Sequence, residues 1–236
     1  MKAVFRNFNQ MIRQMKRDPM LLTFAAVPIL VGLIFRFVIP YIEGLLVNYF
    51  GHDVILPYYS LLDIFLLTFT PTMLEYVVAM IMLEESDDNL VRYLAVTPLG
   101  KGGYLASRLG ITGLLCFPVS ILITLIFGLS NLNLVSLVGL AVVASIQGIG
   151  SAMIIVTLSA NKVEGIAIGK MASLFTLGAI IPYFIADKIQ YIFSLFPTFW
   201  MAKSVVTGNY SFIIVALLLG FLWVLIFIKR FERKLF

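Results

Sequence analysis

The sequence has few charged residues, one cysteine and one histidine. Charged side chains make up 12% of its 236 residues and apolar ones 61%, against about 25% and about 45–50% in soluble domains. These proportions exclude a water-soluble globule. The lone Cys116 excludes an intrachain disulfide, and the lone His52 lies in a predicted loop, so a metal or serine–histidine site at membrane depth is excluded as well. We therefore expect no catalytic residues, and no metal or other cofactor bound by this chain.

The sequence does contain long apolar runs. A helix needs about 20 apolar residues to cross a bilayer. Six runs have about this length, at residues 20–42, 61–83, 104–129, 134–159, 166–186 and 212–228. They predict an all-α membrane protein with six transmembrane helices and a single transmembrane domain over residues 1–236. The first run is too long for the core of a signal peptide and is predicted to be a retained membrane helix.

The positive charges are distributed unevenly among the connections between these runs. Of the 17 Lys and Arg residues, 14 lie on one predicted side and only Arg36, Lys188 and Lys203 lie elsewhere. Cytoplasmic loops of membrane proteins collect Lys and Arg. We therefore predict a multi-pass protein of the cell membrane with both termini in the cytoplasm. The net charge of +5 then needs no nucleic-acid partner.

The first 18 residues have the pattern of an amphipathic helix. Apolar residues such as Phe5, Phe8 and Met15 recur at helical spacing, and cations occupy much of the rest. Asp18 and Pro19 interrupt the pattern before the first run. We predict an interfacial helix whose cations meet anionic lipid of the bilayer.

A short helix outside the membrane is predicted between the second and third runs. Ser86 is expected to cap it, with Asp87 and Asp88 in its first turn, where acidic residues favour the helix dipole. Pro98 is expected to end it at Thr97. Three glycines then predict a turn: Gly100, Gly102 and Gly103.

This short helix has apolar residues next to acidic ones. Leu90, Tyr93 and Leu94 follow Glu84 and Glu85. A segment that only spaced two membrane helices would not need exposed apolar side chains. We therefore favour a docking surface for another protein over a solvated spacer.

The last outer connection, residues 187–210, is too apolar for a free loop. We predict short helices, interrupted by Pro197, that re-enter the membrane or pack against protein, because irregular backbone at that depth must be covered. Its aromatic residues, Trp200 among them, are equally typical of interface anchors.

Three ionisable residues lie inside the predicted spans, where a charge needs a partner or a water-filled cavity. Arg36 and Asp63 are expected near the outer interface, close enough to pair. Glu75 follows Pro71 and is the best candidate for a buried functional acid. A purely structural role for Glu75 in helix packing is given equal weight.

A nucleotide-binding loop is not present. The segment GIAIGKM has three residues between Gly165 and Gly169, and Met171 follows Lys170. A phosphate-binding loop needs four residues between the glycines and Ser or Thr after the lysine. The chain is therefore not expected to hydrolyse nucleotide by itself.

Three segments resemble the type-2 permeases of ATP-binding-cassette (ABC) transporters, and the resemblance extends over essentially the full length. The first segment runs from Glu84 and Glu85 through Thr97-Pro98 to Tyr104 and Arg108. The second holds Asn161, Glu164 and Gly165, and the third is FPTFWMAKSVVTGN at residues 196–209.

The resemblance implies a membrane subunit that exports its substrate with energy from another chain. The segment from about Ser86 to Val96 would be a coupling helix that fits a cleft on a separate ATPase. The coupling residues would be Glu84, Glu85, Leu90, Tyr93, Leu94 and Thr97. Residues 1–18 would be the elbow helix, and the region around Pro197 the re-entrant helices. The expected partners are two copies of the ATPase subunit, which bind ATP and Mg, a second identical or related permease, and the lipid bilayer.

The substrate expected from composition is amphipathic or lipophilic, such as a drug, a peptide or a lipid-linked molecule, because the spans hold few polar groups. Two alternatives remain. One is an ion-coupled secondary transporter that uses Glu75 or Asp63. The other is a non-transporting membrane immunity or scaffold protein.

Overall fold

The computed structural model describes residues 2–97 and 99–235, and every regular element in this part of the chain is helical. We number nine helices in chain order. They are α1 (Lys2–Arg17), α2 (Pro19–Phe50), α3 (Leu56–Asp87), α4 (Leu90–Val96), α5 (Gly100–Phe127), α6 (Leu134–Leu158), α7 (Lys162–Phe184), α8 (Pro197–Thr207) and α9 (Ser211–Leu235). Six of them, α2, α3, α5, α6, α7 and α9, are long and apolar enough to cross a membrane. The prediction of an all-α protein with six membrane-spanning helices is confirmed.

Helices α3 and α6 form the centre of the bundle. About three quarters of the most apolar stretch of each helix is buried, 78% in α3 and 72% in α6. The corresponding fractions are 11% in α2 and 17% in α9. Small residues allow the close approach of the central helices, since a Cβ on Gly148 would lie only 2.9 Å from the carbonyl oxygen of Pro71. The peripheral helices therefore expose the apolar surface that lipid or another protein would cover.

Two of the long helices contain a π-helical turn. The turns lie at Ile34–Val38 in α2 and at Ala106–Gly110 in α5, and each contains an arginine, Arg36 or Arg108. A π-turn inserts an extra residue into the helical repeat and is frequent at functional sites. The arginine in the π-turn of α5 belongs to a buried network of side chains.

The start of α4 differs from the sequence-based expectation. Helix α3 continues to Asp87, so Ser86 lies in its last turn and does not cap α4. The helical conformation is interrupted at Asn89, which has a left-handed backbone (φ 58°). Asparagine tolerates this conformation better than most residues. Helix α4 begins only at Leu90 and has no acidic residue in its first turn. The predicted cap at Ser86 and the acidic first turn of Asp87 and Asp88 are therefore wrong.

Helix α4 ends where the sequence predicts, but the predicted glycine turn is shorter than expected. Thr97 is extended (φ −79°, ψ 170°) after the last helical residue, whereas Pro98 lies outside the described residues. Only Gly100 has a positive φ, 66°, and α5 already begins there. Gly102 and Gly103 are helical residues of α5, so the expected turn is confined to the residue that needs glycine.

Helix α1 and the last turn of α9 lie at one end of the bundle, which we call the terminal end. Helix α1 packs there against the start of α5. Near the C-terminus, the Lys234 ammonium donates to the carbonyl oxygens of Val156, at 2.9 Å, and of Ser159. These carbonyls are the unpaired acceptors at the end of α6, where a cation also favours the helix dipole.

The connection before α9 consists of two short helical segments, a 3₁₀-helix at Lys188–Leu195 and α8. Pro197 is the first residue of α8, a position where its missing N–H costs nothing. Most of the first eight residues of α8 are buried against protein. Lys203 is one of them, with its ammonium 2.6 Å from the Tyr191 hydroxyl and 3.2 Å from Gln190 Oε1.

Candidate functional site

Helix α4 has an apolar face that nothing in the described chain covers. Leu90 is 40% exposed, Tyr93 69% and Val96 85%. Val91 is buried and Leu94 is partly buried against the core at the terminal end. The helix is thus attached by one apolar side and presents a second one outward, an arrangement typical of a protein-docking surface.

Glu85, one turn before α4, lies at the centre of a buried polar network. Its Oε2 accepts from Arg108 Nε at 3.0 Å and from the Tyr104 hydroxyl at 2.9 Å, and its Oε1 accepts from the Arg108 guanidinium. The Arg108 and Glu85 side chains are 0% and 3% exposed. Such a fork-to-carboxylate pair is strong and geometrically specific. It fixes the end of α3 to the start of α5.

The same arginine holds the N-terminal helix. Arg108 Nη1 donates to the backbone oxygen of Asn7 at 2.8 Å, and Asn7 Nδ2 donates to the Ser107 hydroxyl at 2.7 Å. Asn7 is only 5% exposed although it lies near the chain terminus. Arg108 therefore joins three helices, α1, α3 and α5, immediately beside α4.

A second, more exposed junction is centred on Lys162 at the start of α7. Its ammonium lies 2.7 Å from Glu84 Oε2 and 3.4 Å from Asp18 Oδ2. Its backbone N–H donates to Asp87 Oδ2 at 3.2 Å. Lys162 thus connects the start of α7 to the end of α3 and to the residue before α2.

Asp18 also caps α2 through hydrogen bonds from the backbone N–H groups of Met20, at 2.9 Å, and Leu21, at 3.3 Å. Burial raises the pKa of its carboxyl, but these two amides and the Lys162 ammonium outweigh it and lower the pKa below its ordinary value. Asp18 is therefore a stable carboxylate at the entry to the first span.

The start of α7 is fixed by a cap that resembles a capping box, except that Glu164 accepts from the residue before the N-cap. The sequence signals this cap, but we did not predict it. The Glu164 N–H donates to Asn161 Oδ1 at 2.9 Å, and Glu164 Oε2 accepts from the Ala160 N–H at 2.6 Å. The spacing of Asn161 and Glu164 is the recognisable signature. The cap orients the first turn of α7, which presents Lys162.

Arg36 and Asp63 lie at the opposite end of the bundle but do not pair with each other. Asp63 accepts from the N–H groups of Leu129, at 2.8 Å, and Ser130, at 2.7 Å. Arg36 Nη1 is 3.5 Å from the carbonyl oxygen of Gly128. The expected ion pair is replaced by two contacts to one loop, because loop amides satisfy the carboxylate without a second buried charge. Both residues close the connection between α5 and α6.

Glu75 is the third ionisable residue of the predicted spans and lies in the interior of α3. It is 0% exposed, and neither carboxyl oxygen has a hydrogen-bond partner among the described residues. Glu75 thus remains apart from the polar networks at both ends of the bundle.

Six long apolar helices, two of which form a buried central pair, define a multi-pass α-helical membrane protein. Residues 11–230 match the model of the family described as "Fluoroquinolones export permease protein Rv2686c-like". The chain belongs to this family of type-2 ABC permease-like proteins, and the resemblance noted from the sequence is confirmed.

Two relatives, from two strains of Mycobacterium tuberculosis, are the fluoroquinolones export permease proteins Rv2686c (strain ATCC 25618 / H37Rv) and MT2760 (strain CDC 1551 / Oshkosh). Each is 24% identical to this chain over 196 residues, which cover 82% of the chain and 77% of the relative. No solved structure gives a significant match.

Proposed function

We propose that this chain is the membrane subunit of an ABC exporter and moves an amphipathic or lipophilic substrate outward with ATP hydrolysed by a separate subunit. The single observation that supports this most is the exposed apolar face of α4 beside the buried Glu85–Arg108 pair. A surface made to receive force needs a rigid connection to the helices that move, and the pair provides one.

The proposed path of force begins at Leu90, Tyr93 and Val96, which are the docking surface for the ATPase. Thr97 ends this helix through its hydroxyl, which donates to the Leu94 carbonyl oxygen at 2.6 Å. Displacement of α4 acts on the end of α3 through the short link at Asn89. Glu85 is a positioning residue in this path and does not itself touch the ATPase.

Two connections then spread the movement. Arg108 transmits it to α1 and α5, because it bonds to both Asn7 and Glu85. Lys162 transmits it to α7, because it is held by Glu84 of α3. Movement of α4 would therefore change the relative positions of four helices, as a switch between inward-open and outward-open states requires.

The substrate class follows from the relatives, whose names state that they export fluoroquinolones. Such drugs are amphipathic aromatic molecules, in agreement with the apolar spans of this chain. We infer a substrate of the same class, a lipophilic drug-like molecule.

The proposed assembly contains two ATPase subunits, which bind ATP and Mg, and a second permease, identical or related. The weakly buried helices α2 and α9 leave apolar surface for both lipid and this second copy. The terminal end of the bundle faces the cytoplasm, as the distribution of Lys and Arg favours, and α1 lies along the inner surface of the cell membrane.

An efflux assay tests the proposal. Inverted membrane vesicles that contain this chain and the ATPase of its own gene neighbourhood should accumulate a fluoroquinolone only with ATP. The variant Tyr93→Asp should abolish accumulation and loosen co-purification of the ATPase, because it charges the docking face. Tyr49→Asp is the matched control, since Tyr49 is the same residue type, is 83% exposed and lies in α2 at the opposite end of the bundle.

Two results would overturn the proposal. One is transport by Tyr93→Asp at the rate of the unaltered chain. The other is accumulation that needs no ATP and stops when the proton or sodium gradient is collapsed, which would identify an ion-coupled transporter instead.

A further inference from the structure

Glu75 differs from the other buried carboxyl groups of the described chain. Glu43 accepts three backbone N–H groups, the closest at 2.7 Å from Ile55. Asp63 accepts from Leu129 and Ser130, and Glu85 from Arg108 and Tyr104. Only the two oxygens of Glu75 have no donor among the described residues. The fold provides donors for the other three carboxyls and leaves this one free.

The position of Glu75 makes this isolation costly. It lies near the middle of α3, the most buried of the long helices. In such surroundings a carboxylate without hydrogen bonds is strongly disfavoured, so the neutral acid is the resting form. A neutral residue of similar size would pack there without that cost.

Glu75 lies where α3 packs against α5 and α6. A Cβ placed on Gly113 of α5 would lie 3.4 Å from Glu75 Oε1 and 2.5 Å from Ile149 Cδ1 of α6. The carboxyl group therefore lies close to the Gly113 backbone and to the Ile149 side chain. Cys116, one turn further along α5, is fully buried. Two small residues of α5, Gly113 and Cys116, therefore lie near the acid.

Cys116 also lines an apolar cavity of about 150 Å³, whose lining includes neither Glu75 nor Gly113. Residues of helices α1, α2, α3 and α5 line it. Its lining includes Met11, Val78, Ile81, Thr112, Leu115 and Cys116. Cys116 thus borders the cavity in the same helix, one turn from the residue that faces Glu75. An apolar cavity that is connected to an uncompensated acid through one small residue, Cys116, suits a molecule with an apolar body and a positive charge.

We propose that Glu75 is the binding subsite for the organic ammonium group of the exported cargo, whose apolar part enters the adjoining cavity. This inference rests on the proposed export function and specifies its substrate as cationic. When α5 separates from α3 during the transport cycle, the cargo ammonium reaches the acid. The acid then gives its proton to water, and the resulting carboxylate and the ammonium ion neutralise each other. The interior of the bundle remains uncharged overall in both states.

The test labels the purified full-length chain in lipid nanodiscs with dicyclohexylcarbodiimide, a lipophilic reagent that attacks protonated carboxyl groups in apolar surroundings. Mass spectrometry should find the adduct at Glu75, and Asp63 and Glu85 act as internal comparators because donors already hold them. The probe is tetraphenylphosphonium, a lipophilic cation, and triphenylphosphine oxide is its uncharged counterpart. The cation should slow labelling of Glu75 by about tenfold, and the uncharged compound should leave it unchanged.

A second measurement uses the isosteric variant Glu75→Gln. Equilibrium dialysis should show that it binds tetraphenylphosphonium about tenfold more weakly than the unaltered chain, at an unchanged melting temperature. If Glu75→Gln does not fold, labelling of the unaltered chain decides alone. Absence of an adduct at Glu75, equal protection by the uncharged compound, or equal cation binding by a folded Glu75→Gln would each overturn the inference.

These results are separable from those on the proposed function. If efflux depends on ATP but the cation does not slow the labelling of Glu75, only the ammonium subsite is overturned. Protection of Glu75 by the cation together with normal transport by Tyr93→Asp would overturn the proposed function and leave the ammonium subsite in place.

Discussion

Glu84 and Glu85 are adjacent in the sequence but belong to different electrostatic environments. The Glu85 side chain is 3% exposed and bound to Arg108, whereas the Glu84 side chain is 54% exposed and bound to Lys162. One residue step along a helix rotates the side chain by about 100°. This rotation directs one acid into the bundle, toward α1 and α5, and the other to its surface, toward α7.

The first prediction concerns the free energy of unfolding. Glu85→Gln leaves the buried Arg108 cation without its carboxylate, so we expect a loss of about 3–5 kcal/mol. Glu84→Gln breaks a partly exposed ion pair, and we expect a loss below about 1 kcal/mol. Denaturant or thermal unfolding of the two purified variants in one detergent gives both values. Equal losses would contradict the distinction between the two acids.

The second prediction concerns the loop that follows α5. Asp63→Asn removes the carboxylate that holds the N–H groups of Leu129 and Ser130 and should destabilise the chain by about 1–3 kcal/mol. Hydrogen–deuterium exchange of these two amides should become faster. Asp53→Asn is the control because Asp53 is exposed, and it should leave exchange at Leu129 unchanged. Unaltered exchange in Asp63→Asn would show that the loop is held by other contacts.

The third prediction concerns acid stability at the entry to α2. The pKa of Asp18 is lowered from its ordinary value of 3.8, so its carboxylate stabilises the folded chain above that pH and loses this effect as pH falls through the folded-state value. Asp18→Asn keeps a capping side chain but removes its charge, so it should cost about 0.5 kcal/mol at pH 7. The cost should shrink in acid, as unfolding measured between pH 7 and pH 3 would show. A cost that grows in acid would contradict the assigned direction.

The local pattern of apolar residues made the six membrane helices predictable from the sequence. Each observed helix overlaps its predicted apolar run. A single run of about 20 apolar residues crosses the bilayer as an α-helix, because a helix pairs all backbone N–H and C=O groups within the run. The helical α4 was predictable for the same kind of reason, since Leu90, Val91 and Leu94 recur at helical spacing.

Contacts between distant segments were not predictable. Glu85 and Arg108 are 23 residues apart, and Asn7 and Arg108 are 101 residues apart. Their meeting depends on how α1, α3 and α5 pack, which no local pattern encodes. The error at Ser86 has the same origin, because the Glu85–Arg108 pair stabilises one more turn of α3 than the cap signal suggests. The cap formed by Asn161 and Glu164, by contrast, is a local signal, because their spacing is that of a capping box.

Site-specific cross-linking from α4 decides whether a separate ATPase acts on this chain there. Val96→Cys and Tyr49→Cys, each in a Cys116→Ala background, place a single thiol at exposed positions on opposite ends of the bundle. In cells that also express the neighbouring ATPase, a short bifunctional maleimide should join the ATPase to position 96 and not to position 49. Cross-links from position 49 alone, or a thiol at position 96 that an impermeant reagent labels from outside the cell, would contradict the proposed coupling.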